Sequence, residues 1–206
     1  DLHLLSRRQR QMCIRDSSRD ASKEEILERI NNNTITDILN KIEVKAGDVV
    51  MVKAGTIHAI GAGVFICEIQ QNSNCTYRMY DYDRRDKFGN PRELHVKKAL
   101  DVVDNHKYIK DNKTEVVIAR NEHFTEERLV QCKYFEVYKY DVNDEAKITV
   151  DEASFVSVLF INGSGTIETD DYEKTMEFKA GDSFFVSAGL RSIIVKGRAT
   201  MVVTRV

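Results

Sequence analysis

The spacing of apolar residues changes period near residue 40. Across residues 22–40, Ile26, Leu27 and Ile30 recur at helical spacing and predict a helix with one apolar face. Ser22 suits its N-cap, and Glu25 three residues on completes a capping box. The run Asn31-Asn32-Asn33 interrupts the pattern, and residues 34–39 read as a second short turn. Beyond Asn40 the period becomes two. Val44 and residues 49–52 mark strands on either side of the turn Ala46-Gly47-Asp48, and residues 64–70 read as another strand. Residues 72–92 are rich in Asp, Asn, Arg and Tyr and read as loop, and residues 94–103 suit a second helix. From Thr114 to Val206 short strand patterns recur between turns at Asn162-Gly163, Ala180-Gly181 and Lys196-Gly197, the signature of a sandwich or barrel. There, alternation assigns Phe155, Val156, Val158, Phe160, Phe184, Phe185 and Val186 to a protected core.

One segment is written twice. Lys45-Ala46-Gly47-Asp48 followed by VVMVKAGTIH returns as Lys179-Ala180-Gly181-Asp182 followed by SFFVSAGLRS, at an offset of 134 residues. Each copy is a turn, a strand and a second Ala-Gly turn, so the chain reads as two related β-barrels. The first copy ends in His58 and the second in Ser192, which assigns chemistry to the first half and a structural role to the second.

The composition is that of a globular protein: 206 residues, 42% hydrophobic and 31% charged. A net charge of -2 gives no basic excess for nucleic acid and no polybasic run for an acidic membrane surface. The apolar stretches fall far short of the ~20 residues of a membrane span. The four cysteines, Cys13, Cys67, Cys75 and Cys132, form no CxxC pair and read as free thiols in a reducing compartment, with the cytoplasm as the expected location. The first 17 residues, DLHLLSRRQRQMCIRDS, lack any period, and their tail QMCIRDS resembles translated sequencing-adapter read-through; they are expected to stand outside the fold.

The densest chemistry lies in residues 54–84, AGTIHAIGAGVFICEIQQNSNCTYRMYDYDR. A histidine just after a glycine turn on a barrel strand aims an imidazole inward, where it can ligate a divalent metal. The plainer reading of a single His is an ordinary hydrogen-bonded side chain. GTIHAI, CEIQQNS, TYRMYDYDR, GNPREL and the C-terminal GDSFFVSAGL occur here in that order. Together they resemble the type I mannose-6-phosphate isomerase family in its bacterial two-cupin form, over roughly residues 20–206.

The resemblance implies a mainly β fold of cupin-like jelly-roll barrels with a small helical segment. The first barrel is expected to be incomplete and the C-terminal one complete. It divides the chain into a leader (1–17), a helical segment (18–40), the remainder of a catalytic barrel (41–110) and a C-terminal barrel (111–206). It implies interconversion of mannose 6-phosphate and fructose 6-phosphate through a cis-enediol, one zinc ion as cofactor, a sugar phosphate as the small-molecule partner and a monomeric protein. His58 matches the last metal ligand of the family. The other ligands, a Gln-x-His pair and a Glu, lie upstream in the family and have no match in residues 18–58. Gln9 and Gln11 are not followed by a histidine at the right spacing. The chain therefore resembles the C-terminal part of such an enzyme. Arg78 matches the catalytic arginine, whose fixed charge would stabilise the enediol oxygens. Glu68 matches a strand carboxylate suited to acid-base work. Ordinary alternatives are an Arg78 that braces Asp81 or Asp83 and a Glu68 paired with Arg78. Gln70 and Gln71 offer amides to sugar hydroxyls or to the loop backbone. His95, His106 and His123 read as surface or capping residues. The competing functional class is a non-catalytic cupin-type sugar-binding or regulatory module; a cupin dioxygenase ranks below it, because no second His stands close to His58.

Overall fold

Ser22 caps the first helix. In the computed structural model of the protein its hydroxyl accepts the Glu25 N–H at 3.1 Å, and helix α1 follows over Lys23–Asn31. Glu25 pairs along the helix with Arg29 at 3.1 Å. The structure describes residues 20–73, 75–104, 106, 116–169 and 174–206, together with the backbone of 11–14. Most of the leader, including Gln9 and the side chains of Gln11 and Cys13, lies outside the described residues. The chain divides into two compact units, Asp1–Asp111 and Asn112–Val206.

In the first unit the residue 22–40 helix pattern is broken in two. The Asn run stops α1, with Asn33 at a φ of 54°, and only a 3-10 turn, Ile35–Ile38, follows. Helix α2 occupies Val96–Val102. Ala21, Ile26, Ile30, Ile35 and Val103 are buried together, with Met79, Tyr80, Val96 and Leu100 packed around them. Strands are fewer than alternation predicts. β1 (Gln11–Ile14), β2 (Asn40–Glu43) and β3 (His58–Ile60) form an antiparallel three-stranded sheet in the order β2-β1-β3. Residues 11–14, within the segment that resembles sequencing-adapter read-through, supply the backbone of the central strand. Residues 49–52 and 64–70 form no strand.

The second unit contains β4 (Val116–Arg120), β5 (Phe124–Gln131), β6 (Glu136–Val142), β7 (Glu145–Val150), β8 (Val156–Thr169), β9 (Thr175–Lys179), β10 (Ser183–Val186) and β11 (Arg191–Arg205). β8 and β11 pair antiparallel along nearly their whole lengths. The first part of β8 also pairs with β10 and its last part with β9, while β11 begins against β7 and ends against β6. Each long strand therefore serves two sheets, β9-β8-β11-β7 and β10-β8-β11-β6-β5-β4. This is a jelly roll. Its two layers share one core: Val158, Phe160, Met201 and Val203 are buried with Ile148, Ile167, Phe178, Ile193 and Val195. Phe160 stacks on Phe178 with ring centroids 3.7 Å apart. Each fully buried side chain of this size contributes about 1.5–3 kcal/mol.

Two local features set the bend between the layers. Thr200 pairs with Asn162 but Met201 pairs with Phe160, so Ile161 is the extra residue of a bulge. The bulge switches the inward parity of β8 from Val156, Val158 and Phe160 to Ile167. At Gly163 a Cβ would stand 2.0 Å from the Arg198 carbonyl oxygen, so the strands approach there as no other residue permits. On β10 the alternation places Val186 inward and Phe184 against the core. Phe185, expected inside, points outward, is 70% exposed and stacks on Phe155 at 4.7 Å.

The written repeat is also a geometric one. The Lys45 N–H donates to Asp48 Oδ2 at 2.9 Å and the Asp48 N–H to the Lys45 carbonyl at 3.1 Å; Lys179 and Asp182 make the same two bonds at 2.9 and 3.1 Å. Gly47 and Gly181 both have φ of 92°, and Gly55 and Gly189 have 81° and 80°. The segments leaving the two turns take different paths. Residues 183–186 pair with β8 and become a strand, whereas residues 49–52 find no neighbouring strand among the described residues. A ladder partner, not local preference, decides between them.

Candidate active site

The turn ahead of His58 is fixed from the other end of its own unit. The Thr56 N–H closes it on the Lys53 carbonyl at 3.1 Å, and the Asp104 N–H donates to the Gly55 carbonyl at 3.0 Å. A Cβ at Gly55 would lie 2.8 Å from the Val102 carbonyl oxygen, so the GTIH turn sits directly against the end of α2. His58 then opens β3. Its Nδ1 lies 3.0 Å from the Thr56 carbonyl. A carbonyl can only accept, so Nδ1 is the donor of this bond, and in the neutral ring Nε2 is then the nitrogen with the lone pair. The imidazole is exposed rather than enclosed, which corrects the inward aim expected from a barrel strand. β3 belongs to a three-stranded sheet and has no barrel wall around it among the described residues.

Arg78 is held by its backbone and its side chain. The His95 N–H donates to the Arg78 carbonyl at 2.7 Å, and the Arg78 N–H donates to His95 Nδ1 at 3.3 Å. Arg78 Nη1 donates to the Glu93 carbonyl at 3.2 Å. His95 is the N-cap residue of α2, so the helix start positions the arginine. Among the described residues Arg78 makes no hydrogen bond or ion pair to Asp81 or Asp83, although its charge helps to lower the Asp81 pKa. Arg92 is the bonded partner, donating from Nε to Asp81 Oδ2 at 2.7 Å and from Nη2 to Asp81 Oδ1. This fork holds the carboxyl of nearly buried Asp81 below its usual range. Arg85 takes Asp83 at 3.1 Å. Asp86 ties off the loop tip by accepting the N–H groups of Phe88 and Asn90 at 2.8 and 2.9 Å.

Glu68 lies in the irregular stretch after β3, not on a strand, and is exposed; among the described residues no ion pair joins it to Arg78, which corrects the pairing offered as its ordinary alternative. His58, Glu68 and Arg78 share the unit Asp1–Asp111, and no hydrogen bond or ion pair links any two of them among the described residues. His95, read from the sequence as a surface or capping residue, is the N-cap residue of α2; what sequence reasoning missed are its bonds to Arg78 and the fork from Arg92 to Asp81. Their signal was the basic and polar run PRELHV after the acidic YDYDRRD, which reads as an arginine and a histidine returning onto a carboxylate loop.

The zinc implied by the family resemblance does not fit what is described. Among the described residues no group of three or more His, Cys, Asp and Glu could hold a metal ion. Cys67, Cys75 and Cys132 are free thiols. No helix among the described residues is long and apolar enough to cross a membrane.

The fold and the repeated turns define a mostly β protein with a jelly-roll C-terminal unit of cupin type. Residues 125–206 match the family model for the mannose-6-phosphate isomerase cupin domain. The chain belongs to the mannose-6-phosphate isomerase family. YvyI of Bacillus subtilis (strain 168) is 40% identical over 190 residues, which are 90% of this chain and 57% of that one. Mannose-6-phosphate isomerase ManA of the same organism is 33% identical over 193 residues, 89% of this chain and 56% of its own. A crystal structure of the mannose 6-phosphate isomerase from Bacillus subtilis superposes with a TM-score of 0.85 at 35% identity, covering 96% of this chain and 61% of that chain. The chain thus spans a little over half the length of these relatives.

Proposed function

We propose that this chain carries the arginine-bearing part of a mannose-6-phosphate isomerase site. The observation that supports this most directly is the double tie between Arg78 and His95, which presents a guanidinium from a fixed backbone within the TYRMYDYDR stretch. In the reaction the proton on C2 of the aldose phosphate leaves to a carboxylate, the hydroxyl proton passes from the C2 oxygen to the C1 oxygen while negative charge builds on both, and the carboxylate returns its proton to C1 as the C2 carbonyl forms. Arg78 is the group that meets that charge. Glu68 is the carboxylate candidate for carrying the proton. His58, with Nε2 free, supplies one donor toward a divalent ion. The remaining donors would have to come from outside the described residues, so no step is assigned to a metal.

The test joins residues 18–206 to the upstream half of ManA from Bacillus subtilis and follows conversion of mannose 6-phosphate to fructose 6-phosphate. The chimaera should turn over, Arg78→Ala should lower kcat by about 10²–10³, and Arg78→Lys should recover little of it because a point charge lacks the planar fork. A folded chimaera with normal turnover after Arg78→Ala rejects the role. A second reading is a non-catalytic sugar-binding or regulatory module that keeps the barrel and drops the metal. It would show as sugar binding by a folded chimaera without turnover.

A further inference from the structure

Strand β8 carries a reactive pair at its bend. Asn162 and Gly163 follow the bulged Ile161 and lie opposite Thr200 and Ala199 of β11. Asn162 is exposed. The Gly163 N–H donates to Asn162 Oδ1 at 2.8 Å, so the side chain lies back on the peptide nitrogen that follows it. The carbonyl carbon Cγ, one bond from that oxygen, is thereby held beside the same nitrogen. Among the described residues the Nδ2 amide makes no hydrogen bond, so the group that would have to leave is not tied down. Gly163 has φ of 89° and the Arg198 carbonyl leaves no room for a Cβ there, so no side chain of its own shields the nitrogen.

Other asparagines are held differently. Asn143 Nδ2 donates to the Glu122 carbonyl at 3.0 Å. Asn121 Oδ1 accepts the N–H groups of His123 and Phe124 at 2.8 and 2.9 Å, further along the chain than its own next residue. Asn90 is followed by Pro91, which has no N–H to react. Asn162-Gly163 is the only Asn-Gly step in the sequence.

We propose that Asn162 is a self-modifying site, at which water and the Gly163 nitrogen convert the asparagine to an isoaspartyl linkage without an enzyme. The Gly163 nitrogen gives its proton to water, and the lone pair left along the former N–H direction attacks Asn162 Cγ. A C–N bond forms and closes a succinimide ring; the Cγ–Nδ2 bond breaks, and Nδ2 takes a proton from water and leaves as ammonia. One water molecule then opens the ring. Attack at the Asn162 main-chain carbonyl leaves the peptide running through the side chain, and attack at Cγ leaves ordinary aspartate. The net change is NH2 replaced by OH. Holding the two reacting atoms together beforehand is what speeds such a closure. The isoaspartyl product inserts an extra main-chain atom into β8 beside the bulge, which shifts its register on β11 and loosens the bend. Neither residue belongs to the isomerase site proposed above, so the inference does not depend on that reading.

The experiment ages the full chain at mildly alkaline pH and maps its peptides by mass spectrometry, with an isoaspartate methyltransferase as the labelling reagent. A parallel sample is aged in urea. In the folded chain the peptide containing Asn162 should gain the mass of the NH2-to-OH exchange at least about tenfold faster than those containing Asn121 or Asn143, and it should take the label. The converted chain should melt at a lower temperature than the fresh one. Asn162→Gln, whose longer side chain closes a less favourable ring, should leave that peptide unlabelled. If the variant does not fold, the comparison among asparagines of the parent chain decides alone. Conversion at Asn162 that is no faster than at Asn121 in the folded chain, conversion seen only in urea, aspartate without isoaspartate, or an unchanged melting temperature after conversion overturns the proposal.

Discussion

Arg78 and His95 are bonded in both directions: the backbone N–H of His95 reaches the Arg78 carbonyl, and the backbone N–H of Arg78 reaches the His95 ring at Nδ1. The second bond depends on the imidazole and the first does not. His95→Ala should therefore weaken only one side of the tie. A lost bond of this kind is worth about 1 kcal/mol, or about a fivefold change in local opening. Amide hydrogen exchange should show that increase at Arg78. The Ala99 amide, bonded to the His95 backbone carbonyl at 2.9 Å, should be unchanged. Equal acceleration at both positions would mean that the substitution simply melts α2.

The fork from Arg92 to Asp81 has a definite pH signature. The folded-state pKa of Asp81 is lowered, chiefly by its hydrogen bonds to Arg92. The interaction therefore stabilises the fold above the ordinary carboxylate pKa, about 3.9, and is lost as pH falls through the lowered value. Arg92→Ala should be less stable than the parent chain near neutral pH, and the two should converge in strong acid. Urea titrations at several pH values check this; parallel curves down to the lowest pH would contradict the pairing.

His123 behaves in the opposite sense. Its Nδ1 lies 3.0 Å from both oxygens of Asp144, and that carboxylate is the main cause of its raised pKa. The pair ties the turn between β4 and β5 to the turn between β6 and β7. Its stabilisation is fully present below the unfolded His value of about 6.5 and disappears as pH rises through the higher folded value. Asp144→Asn should flatten the stability profile across that window. NMR titration of the His123 ring should show its pKa falling in the variant.

Glycines with similar backbone angles should differ sharply in tolerance. Gly163 has φ of 89° and a Cβ there would overlap the Arg198 carbonyl, whereas Gly181 has φ of 92° and nothing within 4 Å. Gly181→Ala should lose about 1–2 kcal/mol from the left-handed backbone alone. Gly163→Ala should add an overpacking penalty of about 1–3 kcal/mol or more. Thermal unfolding of the two variants gives the comparison, and equal melting temperatures would mean that the β8–β11 approach is looser than described.

Proteolysis should separate the two units. Phe65 is 96% exposed in the strand-free stretch after β3, while the jelly-roll core is shut. A non-specific protease should cut residues 61–77 first and leave a resistant fragment close to 116–206. Mass spectrometry of the early products decides it, and first cuts within β5–β8 would be the contrary result.

The helices and the jelly roll were legible in the sequence because their signals are local: Ser22 and Glu25 for a cap, alternating apolar residues for β6 to β11, and Lys-Ala-Gly-Asp for two turns that came out alike. Residues 49–52 mislead because their alternation states a preference and not a partner. Phe185 misleads because a run of two phenylalanines cannot put both rings on one side of a pleat. The Arg78–His95 tie and the Asp81–Arg92 fork bridge 17 and 11 residues of loop, where no periodicity reports on contact. Ile161 is a single inserted residue, and only the pairing of β8 with β11 reveals which position carries the bulge.

Because β8 and β11 run through both layers, neither layer can come apart by itself. Opening β7 and β9 uncovers the ends of the same ribbon that supports β6 and β10, and the stacked Phe160 and Phe178 part at the same moment. The slowest-exchanging amides of both sheets should then share one opening free energy, so the C-terminal unit unfolds as a single foldon and has no stable half.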